Sequence, residues 1–190
     1  YINGIKKLVK LVNSQNKYVL RIFIDENIKN DPAIFKVLQS STKVEIVIFK
    51  CASYMKDKYH IDLFGTLVRL FPLFDFPNND ADNIIISDIE LNDEDMDYLK
   101  TTMQYNSAKN EIIIRGTLKN VIIDKNFPHF FLGMTLFNKL KLPADMIVNF
   151  IESAHKLEDQ GFYGTRKTDF GFGIDEIFLD KYIMKHALEH

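Results

Sequence analysis

Three short segments built largely from Ile, Val and Phe, residues 18–25, 44–49 and 83–90, alternate with stretches of helical spacing. That alternation constrains the fold more than any other feature, because β-branched and aromatic side chains suit a pleated, buried surface. Ile5, Leu8, Val9 and Val12 fall on one helical stripe ahead of the first strand. Asp31-Pro32 then opens a helix through Leu38, with an aspartate placed to cap it and a proline at its first position. Strands alternating with helices predict an α/β domain with a mostly parallel sheet flanked by helices.

Residues 63–74 form an apolar stretch interrupted by Arg69 and read as a helix packed near the sheet end. Residues 75–82, with Pro77, Asn78 and Asn79, read as a turn-rich connection. A more polar helix is expected over residues 93–105. Residues 111–123 carry two β-branched runs around Gly116, and a hairpin or an insertion both fit. An apolar run follows at residues 130–137, then a helix opened by Pro143 and reaching about Leu157. Residues 160–173 hold four glycines and several aromatics and read as a loop ahead of a last helix over residues 174–185. No internal repeat or low-complexity block is present.

At 190 residues, 46% hydrophobic and 13% aromatic, the chain can bury a sizeable core in one domain, expected over residues 1–186. A formal net charge of -2 supplies no general attraction to nucleic acid or an anionic membrane, so no nucleic-acid partner is expected. No apolar run approaches the roughly 18 residues of a spanning helix, and no membrane span is expected. Cys51 is the single cysteine, which excludes an intramolecular disulfide and a cysteine-based zinc site and fits a reducing, cytoplasmic location. Tyr1 stands where a native start would be methionine, and residues 187–190, closing on Leu188-Glu189-His190, read as a vector-derived tail.

The strongest chemical signal is Asn83-Ile84-Ile85-Ile86-Ser87-Asp88-Ile89-Glu90, an apolar strand ending in two carboxylates one residue apart. Spacing alone is weak: with 26 acidic residues in 190, roughly three or four such pairs arise by chance. Asp80/Asp82, Asp93/Asp95 and Asp95/Asp97 share the spacing. Position distinguishes Asp88 and Glu90, because ligands of open α/β sheets bind beyond the carboxyl ends of strands. Hard carboxylate oxygens there suit Mg²⁺ or Mn²⁺ with sites left for waters and a diphosphate. Solvated or helix-capping acids just after a strand are the competing reading.

Arg69, inside Leu67-Val68-Arg69-Leu70-Phe71, is costly to bury unless an anion meets it. Holding Asp88, contacting nucleotide phosphates and forming a structural salt bridge all remain open. Gly171-Phe172-Gly173-Ile174-Asp175-Glu176 delivers two acids at the start of a helix, either to orient or deprotonate an acceptor hydroxyl or to sit favourably against the helix dipole.

Gly65-Thr66-Leu67-Val68-Arg69-Leu70-Phe71-Pro72 followed by residues 83–90 resembles the centre of the GT-A glycosyltransferases, where an arginine-bearing helix precedes a strand ending in Asp-x-Asp. Residues 18–25 are similar to that fold's second strand and Gly173-Ile174-Asp175-Glu176 to a late Gly-x-Asp-Glu acceptor motif, so the ordered likeness covers about two thirds of the chain. The resemblance implies a Rossmann-like GT-A domain that transfers a sugar from a nucleoside diphosphate donor to an acceptor hydroxyl. It implies Mn²⁺ or Mg²⁺ as cofactor, a UDP-sugar as the favoured donor, and a glycan, protein or small molecule as acceptor. Asp88 would contact the nucleotide sugar and Glu90 the metal, Gly65 and Arg69 would line the donor site, and Asp175 or Glu176 would face the acceptor. The composition, rich in Lys, Asn, Ile and Phe, fits an A+T-rich genome, and the compact size resembles glycosyltransferase-like proteins of large DNA viruses, a resemblance that implies the host cytoplasm.

Two departures stand out. Glu90 replaces the usual aspartate with a longer arm, and the family's first strand, expected ahead of residues 5–12, is not in this sequence. Two alternatives therefore accompany the transferase reading. A strand ending in Asp-x-Glu also resembles the nucleophile and acid of HAD-type phosphatases, although Leu91 follows where a small hydroxyl residue is usual. The other alternative is a non-catalytic GT-A-like binding or scaffold protein. His60, His129 and His155 are scattered and read as packing or surface residues, with one of them as a third metal ligand the competing reading. A homo-oligomer is compatible with the sequence.

Overall fold

The computed structural model describes residues 1–49, 66–74, 81–109, 111–114, 134–159, 175 and 178–189. The chain expected as one domain divides into two compact units, Tyr1–Ala52 with Asp88–Asn106, and Ser53–Ser87 with Ser107–His190. The backbone passes from the second unit to the first between Ser87 and Asp88, at the start of the acid pair.

In the first unit, helix α1 (Ile2–Asn13) buries Ile5, Leu8, Val9, Leu11 and Val12. Strand β1 (Leu20–Ile24) pairs in parallel with β2 (Val44–Ile48), with Leu20 opposite Val44 and Ile24 opposite Ile48. Between the strands lie α2 (Glu26–Lys29) and α3 (Pro32–Leu38). Asp25 caps α2 by accepting from the Ile28 amide at 2.8 Å, and Asp31 caps α3 by accepting from Ala33 and Ile34. Each such cap contributes about 1 kcal/mol by satisfying an amide the helix cannot. The α3 start follows the Asp31-Pro32 signal, whereas α2 is too short to leave a periodic one. Ile5, Val9, Ile22, Ile24, Ile34 and Leu38 form the core, with Ile89 among the half-buried residues packed on it.

Helix α4 (Asp93–Met103) completes this unit and begins with a capping box. The Asn92 carbonyl oxygen Oδ1 accepts from the Asp95 amide at 2.9 Å, and the Asn92 amide donates to Asp95 Oδ2 at 3.0 Å. Met96, Leu99 and Thr102 face inward at helical spacing.

The second unit is built around strand β5 (Met134–Asn138), flanked by β3 (Asn83–Ser87) and β4 (Glu111–Ile114), both antiparallel to it. All five β5 residues are buried. The parallel arrangement expected of the sheet thus occurs between β1 and β2, whereas β3 belongs to an antiparallel sheet. A strand covered on both faces carries a continuous apolar run whichever way its neighbours point, so composition does not encode direction. At the end of β5, Lys139 adopts φ 54° and its amide donates to the Asp82 carbonyl at 2.6 Å. The buried Asn138 donates its side-chain amide to the carbonyls of Ser107 and Lys109.

Residues Val68–Phe74 form a 3-10 helix containing Pro72, which lacks the amide an α-helical bond would use. Helix α5 (Ala144–Asp159) follows β5. The C-terminal helical segment runs as a π-helical stretch, Leu179–Met184, into α6 (Lys185–Glu189). Phe178 is fully buried and stacks against Phe74, Phe150 and Tyr182, with its ring centroid 4.6 Å from that of Phe150. Among the described residues, no helix is long and apolar enough to cross a membrane.

Candidate functional site

Asp88, Ile89 and Glu90 form the link from β3 to α4. Ile89 turns its side chain onto the first unit's apolar core, while Asp88 and Glu90 on either side of it are exposed. The Leu91 amide donates to the Ile89 carbonyl at 3.0 Å, closing a γ-turn with Glu90 at its centre. Leu91 itself is buried, so Glu90 lies between two apolar anchors and Asp88 directly precedes the first of them.

Helix α1 pins this turn from one side. A Cβ built on Gly4 would clash with the Ile89 carbonyl oxygen, so the helix backbone approaches the turn as closely as only glycine allows. One helical turn on, Lys7 Nζ donates to the Leu91 carbonyl at 3.3 Å and to Asp93 Oδ1 at 2.9 Å. The hydrogen bond from Lys7, and then its charge, hold the Asp93 carboxyl below the ordinary aspartate range, with a smaller contribution from Lys100.

The carboxylates of the acid-x-acid pairs at 93–97 are engaged within the chain, as the first turn of α4 requires. Asp93 faces Lys7, Asp95 closes the capping box, and Asp97 meets Lys100 Nζ at 2.7 Å. The acidic first turn of α4 also complements the helix dipole. Of Asp80 and Asp82, Asp80 lies outside the described residues.

Arg69 and Asp175 belong to the second unit and form an ion pair, with the Asp175 side chain 3% exposed and that of Arg69 24% exposed. The arginine inside an apolar stretch therefore meets an anion of the chain itself. Asp175, one of the two acids expected to face an acceptor, is almost fully buried. Gly65, Glu176, Cys51, His60 and His129 lie outside the described residues, as does the glycine-rich stretch 160–173. His155 lies in α5.

Among the described residues, no three His, Cys, Asp or Glu side chains gather into a metal cage. Two exposed carboxylates at a fixed turn suit a cation that takes one or two protein ligands and fills the rest of its shell with water and phosphate oxygens, as Mg²⁺ does. Gly4 and Lys7 carry no local motif, but a glycine in the first turn of a helix costs about 1 kcal/mol relative to alanine and so signals a close contact.

The chain matches no protein-family model, no characterised protein and no solved structure.

Proposed function

We propose that the chain is a metal-dependent glycosyltransferase of GT-A type, transferring a sugar from a nucleoside diphosphate donor, with a UDP-sugar favoured, to an acceptor hydroxyl. The observation that carries this reading is the turn after β3, where Ile89 is anchored in the core and both flanking carboxylates are exposed. Asp88 and Glu90 would hold Mn²⁺ or Mg²⁺, and such a cation neutralises charge developing on a diphosphate leaving group. The anchoring of Ile89 and Leu91 holds the backbone that carries the two carboxylates, so less backbone freedom is lost on binding. Asp175, buried against Arg69, serves in this reading to dock the C-terminal segment, which leaves Glu176 as the acid facing the acceptor.

A second reading is a non-catalytic binding module, favoured by the burial of Asp175, one of the two acids expected to meet the acceptor. One experiment separates the two. A thermal-shift screen of UDP- and GDP-sugars with and without Mn²⁺ is expected to show a metal-dependent rise for one donor, because a ligand of the folded state raises apparent stability. The rise should vanish when Asp88 and Glu90 are both replaced by alanine. An identical response of the chain and the double variant rejects the site, while metal-dependent binding without release of nucleoside diphosphate in the presence of acceptors selects the binding module.

A further inference from the structure

We infer that helix α1 is the positioning element of the Asp88–Glu90 turn, acting through Gly4 and Lys7. The inference rests on the reading of Asp88 and Glu90 as metal ligands and adds two residues that touch neither carboxylate in the contacts described. Three observations converge on it. Gly4 brings the α1 backbone against the carbonyl of Ile89, the residue between the two acids. Lys7, on the same helical face, donates to the carbonyl of Leu91, the residue after them, at 3.3 Å. The same ammonium holds Asp93 at 2.9 Å, tying the start of α4 to the same point.

The backbone on the C-terminal side of the turn is thereby held in a chain of contacts. The Ile89 carbonyl accepts from the Leu91 amide, and the Leu91 carbonyl accepts from Lys7. A cation held by two carboxylates gains affinity when their backbone cannot drift apart, and groups that orient ligands from behind are worth on the order of tenfold in metal affinity.

Charge alone makes the opposite forecast. An ammonium near a cation site repels the cation, and removing it also releases the Asp93 carboxylate, so a purely electrostatic Lys7 would weaken binding by its presence. Replacing Lys7 with methionine keeps the aliphatic stem on the helix surface and removes only the donor. On the positioning account, K7M binds Mn²⁺ on the order of tenfold more weakly, and K7R, which keeps both charge and donors, restores most of the affinity.

The test is a titration of Mn²⁺ into the whole chain, following the electron paramagnetic resonance of the free ion, for the parent, K7M, K7R and the Asp88/Glu90 double alanine variant. Amide exchange of residues 88–91 is measured alongside in metal-free protein. Weaker binding in K7M, faster exchange of the Leu91 amide and recovery in K7R are the expected results. Unchanged or tighter binding in K7M, or unchanged Leu91 exchange, overturns the role of α1. Full Mn²⁺ affinity in the double alanine variant sinks the metal site itself, a failure distinct from that of the positioning role.

Discussion

Arg69 and Asp175, 106 residues apart in sequence, meet as an ion pair with the carboxylate almost entirely removed from water. Breaking such a pair leaves one charge buried and uncompensated, and that penalty exceeds what the pair itself contributes. Asp175→Ala is therefore expected to destabilise the second unit by about 3 kcal/mol, seen as a lower midpoint in urea unfolding. A variant with undiminished stability and lost activity would instead return Asp175 to the chemistry.

Phe178 docks the same C-terminal segment through packing. Its ring is fully buried among Phe74, Phe150 and Tyr182. Phe178→Ala removes a whole aromatic side chain from three neighbours, and a loss of about 3–5 kcal/mol is expected. Loss of near-ultraviolet circular dichroism at lower temperature than in the parent is the readout, and an unshifted transition would mean that the segment is not docked this way.

Gly4→Ala sets two effects against each other. Alanine gains about 1 kcal/mol of helix propensity over glycine. Its methyl, however, would clash with the Ile89 carbonyl oxygen, a backbone atom that no rotamer change can move aside. Overpacking of this kind costs about 1–3 kcal/mol, so the variant should melt below the parent. A higher melting temperature would show that α1 can withdraw from the turn freely.

How far the sequence discloses this arrangement depends on the range of each interaction. Strands β1, β2 and β3 and the Asp31-Pro32 helix start are local, because β-branched runs and cap residues act within a few positions of themselves. The Asp88-Ile89-Glu90 alternation is likewise local, with one apolar side chain anchored between two exposed acids. The direction of β5 relative to its neighbours is not, since Met134–Asn138 is buried on both faces and would read the same in a parallel sheet. Arg69 announces in its own segment that it needs an anion, but which anion is decided by Asp175 far along the chain. Lys7 reads as one more lysine on the polar side of an amphipathic helix, and only the contact with Leu91, 84 residues on, gives it a place.

Lys7 also governs the titration of Asp93. Its hydrogen bond, and then its charge, lower the Asp93 carboxyl below the ordinary aspartate value, with Lys100 adding a smaller attraction. A carboxyl whose folded value lies below its unfolded one contributes stability above the unfolded value and loses it as pH falls through the folded one. The tie between α1 and the start of α4 is thus present at neutral pH and is lost in acid as Asp93 takes up its proton, at a lower pH than an unperturbed aspartate would. In K7M the Asp93 carboxyl carbon, followed by nuclear magnetic resonance, should titrate closer to an unperturbed aspartate, shifted upward from the parent. An Asp93 midpoint that stays in place after Lys7 is removed would transfer the effect to Lys100 and the dipole of α4, and would leave the Lys7 bridge without influence on the turn.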